Sequence, residues 1–349
     1  FLCVTGVQTC ALPISERLNA DIVVYGHVAA DGQLTLNFYA HPDLQSLTDS
    51  LIVGRYEVGD PIRFPSTFDI QNRPAADAVA NRLRPRVTTL AMLLRGLEEY
   101  FVGDTSGALL IWEPLRAELG RESGADVLSL LVGMAHITPE LGEEQLFYDP
   151  EQLDRAEEAF REAAASRDLS VSGRAHIGLG NVHFTRAQQL VTESPASDGA
   201  RVEQVLQGLQ QAIAEYEEAI SVIQALPEPD PMLLALARIA ITPAYRLQGQ
   251  VFLNTGQNEP GEAALDRALA GIEENLPFLI EAEEYRLVAL GYDIQGTAFY
   301  LKAWLADQQG DAQTSRALYQ QAVDSFDACI EQGDLQPTDN FLQDVVQDF

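Results

Sequence analysis

Hydrophobic residues follow two different spacings, which divide the chain into a short N-terminal part and a long remainder. Apolar and polar residues alternate in two runs, Asp21–Val28 and Gln33–His41, and the sequence AADG lies between them. Alternation is typical of β-strands, and Asp-Gly between two such runs favours a tight turn because glycine accepts a positive φ. We therefore predict a β-hairpin. Since a lone hairpin is marginal in water, we interpret residues 15–58 as the second half of an α/β domain whose first half precedes the printed sequence.

Helical spacing dominates after a connecting segment. Residues 59–74 contain several prolines and are predicted to be a linker, which follows one more short strand within Leu51–Val58. Over residues 75–349 apolar positions recur every three or four residues, as in amphipathic helices. Pro85 is expected to kink or break the first helix, because proline lacks a backbone donor and clashes with the preceding turn. The last run, Phe341–Phe349, predicts either a capping helix or a truncated continuation of the helices. The predicted fold class is thus mainly α, preceded by a truncated α/β segment with a hairpin.

One helical hairpin is visible in the stretch LRGLEEYFVGDTSGALLIWEPL, residues 94–115. Its small residues are spaced to lie where two helices touch, its large aromatic residues are spaced to fill the gaps, and a Gly-Asp pair supplies the turn. The residues concerned are, in order, Gly96, Tyr100, Gly103, Asp104, Ala108 and Trp112.

The same pattern recurs four more times downstream. The second repeat carries an insertion around Pro139 and Pro150, the third a longer one that includes the sequence TESPASDG, and the fourth a short one around Pro260. We expect the first of these insertions to bulge out and TESPASDG to form a loop. The repeat positions are Gly133, Ala156, Phe160 and Ala163; Gly180, Phe184, Ala212, Tyr216 and Ala219; Gly249, Leu253, Gly256, Ala264 and Ala268; and Phe299, Ala303, Gly310, Asp311, Ser315, Tyr319 and Ala322.

This spacing resembles the tetratricopeptide repeat (TPR), a helix–turn–helix unit of about 34 residues. The resemblance covers residues 88–332, although the proline that usually closes a repeat is mostly missing. It implies a solenoid, in which each hairpin buries its apolar face against its neighbours and the array presents a concave groove that binds other chains.

Two further resemblances concern the N-terminal part. The stretch ADIVVYGHV…DGQLTL resembles a segment of the small α/β domain of TolB-type proteins and of TPR-linked bacterial signalling proteins, which implies no catalytic residues. The run Val4–Ile14, VTGVQTCALPI, resembles the translation of a sequencing adapter, so residues 1–14 are expected to be an artefact. Cys329 is then the single native cysteine, which excludes a disulfide framework or a cysteine metal site.

The charge restricts the class of partner. The formal net charge is −30, which argues against nucleic acid or an anionic membrane surface as the partner of this chain. The acidic residues are spread along the sequence, as expected for a solvated surface. Lys302 is the only lysine.

No arrangement of residues predicts an active site. His176 and His183 are seven positions apart and fall where a TPR places packing residues, so we interpret them as structural rather than metal ligands. Carboxylate pairs such as Glu98-Glu99 and Glu217-Glu218 are expected on solvated helix faces. The sequence has no phosphate-binding glycine motif and no G-x-S-x-G motif around a serine. We predict a non-enzyme without metal or cofactor.

The resemblance also implies which side chains line the groove. In TPR proteins the concave surface is built from set positions of each first helix, and two arginines and two asparagines occupy such positions here. These types can hold a carboxylate or a peptide backbone, and the nearby aromatic residues offer an apolar pocket. The alternative is that they pair with acidic residues within the solenoid. The candidate groove residues are Arg174, Asn181, Phe184, Arg246, Gln250, Asn254, Tyr300 and Trp304, with Asp307 beside the last two.

The predicted function is a non-catalytic scaffold that binds a protein or peptide segment in the concave groove, where the arginines would favour an acidic or C-terminal peptide. The alternative is an accessory region of a larger bacterial signalling protein or enzyme, with the catalytic or membrane part upstream.

Overall fold

A computed structural model describes residues 22–29, 31–40, 51–58, 61–63, 73–119, 124–138, 149–192 and 199–334. The adapter-like segment, most of the insertion around Pro139 and the run Phe341–Phe349 lie outside these residues. Contacts between Cα atoms divide the chain into two compact units, residues 1–178 and 179–349, and each is described by itself.

The predicted hairpin is confirmed as part of a small antiparallel sheet. Its strands are β1 (Ile22–Val28), β2 (Gln33–Ala40), β3 (Gly54–Glu57) and β4 (Ile62–Arg63). β1 pairs with one edge of β2 over its whole length, and β3 and β4 pair with the opposite edge of β2. Gly32 has a φ of 80°, as the turn requires, and the Gln33 amide donates to the Asp31 carboxylate at 3.2 Å. β4 falls inside the segment predicted to be a linker, so part of that segment adds a third pairing partner to β2.

The rest of the described chain is helical, so the mainly α fold class is confirmed. The helices are α1 (Arg73–Phe101), α2 (Thr105–Leu119), α3 (Ala125–Ile137), α4 (Pro150–Ala164), α5 (Leu169–Thr192), α6 (Gly199–Gln224), α7 (Pro231–Ala240), α8 (Thr242–Asn254), α9 (Asn258–Glu281), α10 (Tyr285–Gln308) and α11 (Ala312–Asp334).

In unit 1, α1 and α2 form the hairpin predicted from residues 94–115. The Trp112 ring lies directly over Gly96, where any side chain would collide with it, and its indole N–H donates to the Leu93 carbonyl at 3.1 Å. Gly103 adopts a φ of 81° in the turn, and Asp104 accepts from the Gly107 amide at 2.6 Å. The small-residue spacing thus predicted a real helix–helix contact.

Two prolines of unit 1 lie within helices. Pro85 was expected to kink or break α1, and the helix continues through it without a break; Pro85 is exposed, so water can satisfy the carbonyl that the missing donor leaves free. Pro150 does not bulge out in a loop but begins α4, with Asp149 accepting from the Glu151 amide at 2.9 Å. Proline suits the first helical position because no intrahelical partner is lost there.

Close contacts between glycine and a large side chain recur in both units. In unit 1, Phe160 of α4 lies against Gly133 of α3. In unit 2, Tyr216 of α6 lies against Gly180 of α5, Leu265 of α9 against Gly249 of α8, and Phe326 of α11 against Gly296 of α10; these are contacts that a Cβ atom would obstruct. Helical hairpins therefore exist in the four downstream stretches, although Leu265, Gly296 and Phe326 were not among the predicted repeat positions.

The insertion of the third repeat is mostly helix rather than loop. α5 ends at Thr192 and α6 begins at Gly199, so the residues that separate Gly180 from Ala212 lengthen the two helices. The TESPASDG sequence contains the connection itself. The other extra residues have no glycine or proline pattern that would stop a helix, and they continue the apolar spacing.

Candidate binding surface

Arg174, the first predicted groove residue, lies in the interior of unit 1. Its side chain is 1% exposed, and its Nη2 atom donates to the Val53 carbonyl, just before β3, at 2.5 Å. Nη1 bonds to the Ser170 carbonyl and hydroxyl on the preceding turn of α5. The guanidinium also lies 5.2 Å from the centre of the Tyr56 ring. The groove role expected for Arg174 is therefore corrected, because the sheet covers the side chain.

The backbone around Val53 is shaped to receive this arginine. Gly54 has a φ of 124°, and a Cβ atom there would lie 2.5 Å from the Arg174 guanidinium. Tyr56 is itself held in place, since its ring stacks on Phe38 at 4.7 Å and its hydroxyl donates to the Leu51 carbonyl at 2.8 Å. This contact could not be predicted from the spacing of residues, because Val53 and Arg174 are far apart in the chain.

In unit 2, Asn181 and Phe184 lie on α5 and are partly buried. The Asn181 side-chain oxygen accepts from the hydroxyl of Tyr216 at 2.7 Å. Burial raises the pKa of the Tyr216 phenol, so this hydroxyl remains a donor. Asn181 thus has a partner within its own hairpin.

The predicted residues of α8 form a row along that helix. Arg246 donates from Nη1 to the Gln250 side-chain oxygen at 3.2 Å, and both residues are partly buried. Asn254 is exposed at the end of the helix. Arg246 and Gln250 therefore share one face of α8.

Tyr300 and Trp304 of α10 are the most exposed aromatic residues among the predicted set. Tyr300 is 50% exposed and Trp304 is 37% exposed. Four residues apart, they share one helix face. The Tyr300 ring lies 5.8 Å from the ring of Tyr319 on α11, inclined at 60°. We call Tyr300, Trp304 and Tyr319 the aromatic patch. The sequence showed Tyr319 only as a repeat position, because its contact with Tyr300 depends on how the two helices pack.

The described residues provide few candidates for a catalytic or metal-binding site. They contain no group of three or more His, Cys, Asp or Glu side chains that could hold a metal ion. His136 is buried between Gln152 and Glu113, at 2.5 Å and 3.2 Å, where it joins three helices of unit 1. Burial, followed by the charge of Asp293, raises the pKa of the Cys329 thiol to about 11, which leaves it a poor nucleophile.

Among the described residues, no helix is long and apolar enough to cross a membrane.

Comparisons with known proteins give no assignment. No protein-family model matches the chain, and no curated protein matches it. The functional argument therefore rests on the residues and their geometry.

Proposed function

We propose that this chain is a TPR-like scaffold, without catalytic activity of its own, that binds a segment of another protein. The aromatic patch in unit 2 is the surface at which we expect that segment to bind.

Support comes first from the helical hairpins. Each pairs a small residue on one helix with a large side chain on the other, as Gly180 does with Tyr216 and Gly296 with Phe326. Repeated hairpins of this kind build extended surfaces that suit a peptide or a protein segment.

The exposure of Tyr300 and Trp304 is the observation that carries the proposal. Phe326 packs against Gly296 where α10 meets α11, and Tyr300 contacts Tyr319 of α11, yet Tyr300 and Trp304 remain 50% and 37% exposed. Exposed tyrosine and tryptophan side chains are enriched where proteins bind one another, because they offer a large apolar area together with a polar atom.

The experiment is a selection from a random peptide library on the purified full chain. Selected peptides are then tested against a variant with both Tyr300→Ala and Trp304→Ala. We expect this variant to lose about 2 kcal/mol or more of binding free energy, as at an interface hot spot. Leu110→Ala is the matched control, because Leu110 is 79% exposed in unit 1 and outside the aromatic patch.

Peptides that bind the wild type and the Leu110→Ala variant equally, but not the double variant, would support the proposal. A selection that yields only peptides indifferent to the double substitution would contradict it. Circular dichroism of each variant checks that the helices are intact.

A further inference from the structure

The aromatic patch carries a negative charge at its edge. Asp307 lies three residues after Trp304 on α10, and therefore on the same side of the helix. Its side chain is exposed, and within the part of the chain that the structure describes its carboxylate makes no hydrogen bond or ion pair. The patch thus combines aromatic rings with a carboxylate that has no hydrogen-bond or ion-pair partner among the described residues.

Asp307 is close enough to influence the second helix. The pKa of the Tyr319 phenol is raised by loss of hydration, then by Tyr300 and by the charge of Asp307. Tyr300 already contacts Tyr319 ring to ring. Tyr319 of α11 therefore interacts with both Tyr300 and Asp307 of α10.

The surroundings of the patch are also negative. Residues 285–334, which include α10 and α11, contain seven acidic and three basic side chains. One of the basic residues, Lys302, is paired with Asp266 of α9. The formal net charge of −30 for the whole chain favours the approach of cationic partners over anionic ones.

We propose that the aromatic patch binds an arginine or lysine side chain in a basic segment of the partner protein, with Asp307 as its counter-ion. The inference rests on the proposed function and names the chemistry of the partner. Aromatic rings attract cations placed over their faces, and arginine in addition stacks on them through its planar guanidinium. A carboxylate beside the rings adds a charge-assisted hydrogen bond.

An acidic segment fits this structure less well. Of the two arginines that would hold it, Arg174 is buried in unit 1 on the Val53 carbonyl, and Arg246 bonds to Gln250. The exposed predicted residues are instead Asn254, Tyr300 and Trp304, none of which is cationic.

The test is a titration of the full chain with short synthetic peptides, in which isothermal titration calorimetry measures the affinity at physiological ionic strength. In the first peptide arginine alternates with serine, and in two matched peptides every arginine is replaced by glutamine or by glutamate. The protein variants are Trp304→Ala and Asp307→Asn. Glu203→Gln is the control, because it removes one exposed carboxylate from α6 and so alters the net charge equally.

We expect the arginine peptide to bind, the glutamine and glutamate peptides to bind much more weakly, and each patch variant to lose about tenfold in affinity. Glu203→Gln should stay within about twofold of the wild type, because a distant exposed charge is screened by salt.

Equal losses of affinity for the arginine peptide in the Asp307→Asn and Glu203→Gln variants would overturn the inference, since binding would then reflect net charge alone. Binding that needs Trp304 but is indifferent to peptide charge would also overturn it, while the proposed function would stand. If the affinity of every peptide, whatever its charge, is independent of Trp304, both the proposed function and this inference fail.

Discussion

Arg174 is a buried cation whose described partners are all neutral. It donates to the Val53 carbonyl and to Ser170, and it lies against the Tyr56 ring, while its Nε atom has no partner in the described chain. A buried charge without a counter-ion is costly, so these contacts must offset a large loss of hydration. The residue joins β3 to α5 at a position where the sequence indicated a surface.

Arg174→Ala should lower the free energy of unfolding by about 2–3 kcal/mol, because it removes hydrogen bonds to a charged group and leaves the Val53 carbonyl unpaired. Urea denaturation followed by circular dichroism measures this. Arg155→Ala is the control, since Arg155 is half exposed and its ion pair with Glu151 should contribute less than about 1 kcal/mol. Equal effects in the two variants would show that the buried contact is not stabilising.

At the scale of the elements, sequence spacing was enough to find the hairpins. Gly96 with Trp112 and Gly180 with Tyr216 are contacts between neighbouring helices, so the residues that make them are close in sequence and repeat at a readable interval. The buried position of Arg174 could not be predicted in this way, because its partner Val53 lies just before β3 and far away in the sequence. Pro150 was misread for a different reason, since Asp-Pro marks a helix start as well as a loop.

Gly180→Ala should destabilise the hairpin of α5 and α6. The added Cβ atom would lie 2.5 Å from the ring of Tyr216, which is buried and cannot move aside freely. We expect a net loss of about 1–2 kcal/mol, because overpacking outweighs the better helix propensity of alanine. Gly199→Ala is a matched control at the start of α6, where a Cβ atom meets nothing within 4 Å. A urea midpoint for Gly180→Ala that is no lower than that of Gly199→Ala would contradict the packing argument.

At the scale of the molecule, charge and architecture have separate roles. Packing between neighbouring helices recurs in both compact units, whereas the net charge of −30 influences which partners approach. The exposed ion pairs, such as Arg238 with Glu274 at 3.0 Å, contribute little to stability individually. Screening by salt should therefore affect binding of a basic partner more than it affects the fold.

The two tryptophans have a spectroscopic consequence. Trp112 is fully buried in unit 1, and Trp304 is on the surface of unit 2. Unfolding brings Trp112 from an apolar site into water, whereas Trp304 is partly in water from the start. Intrinsic emission should therefore shift to longer wavelength mainly as unit 1 unfolds, while the far-ultraviolet signal follows the helices of both units. Superimposable transitions from the two signals would mean that the units unfold together, and separate midpoints would measure the stability of each.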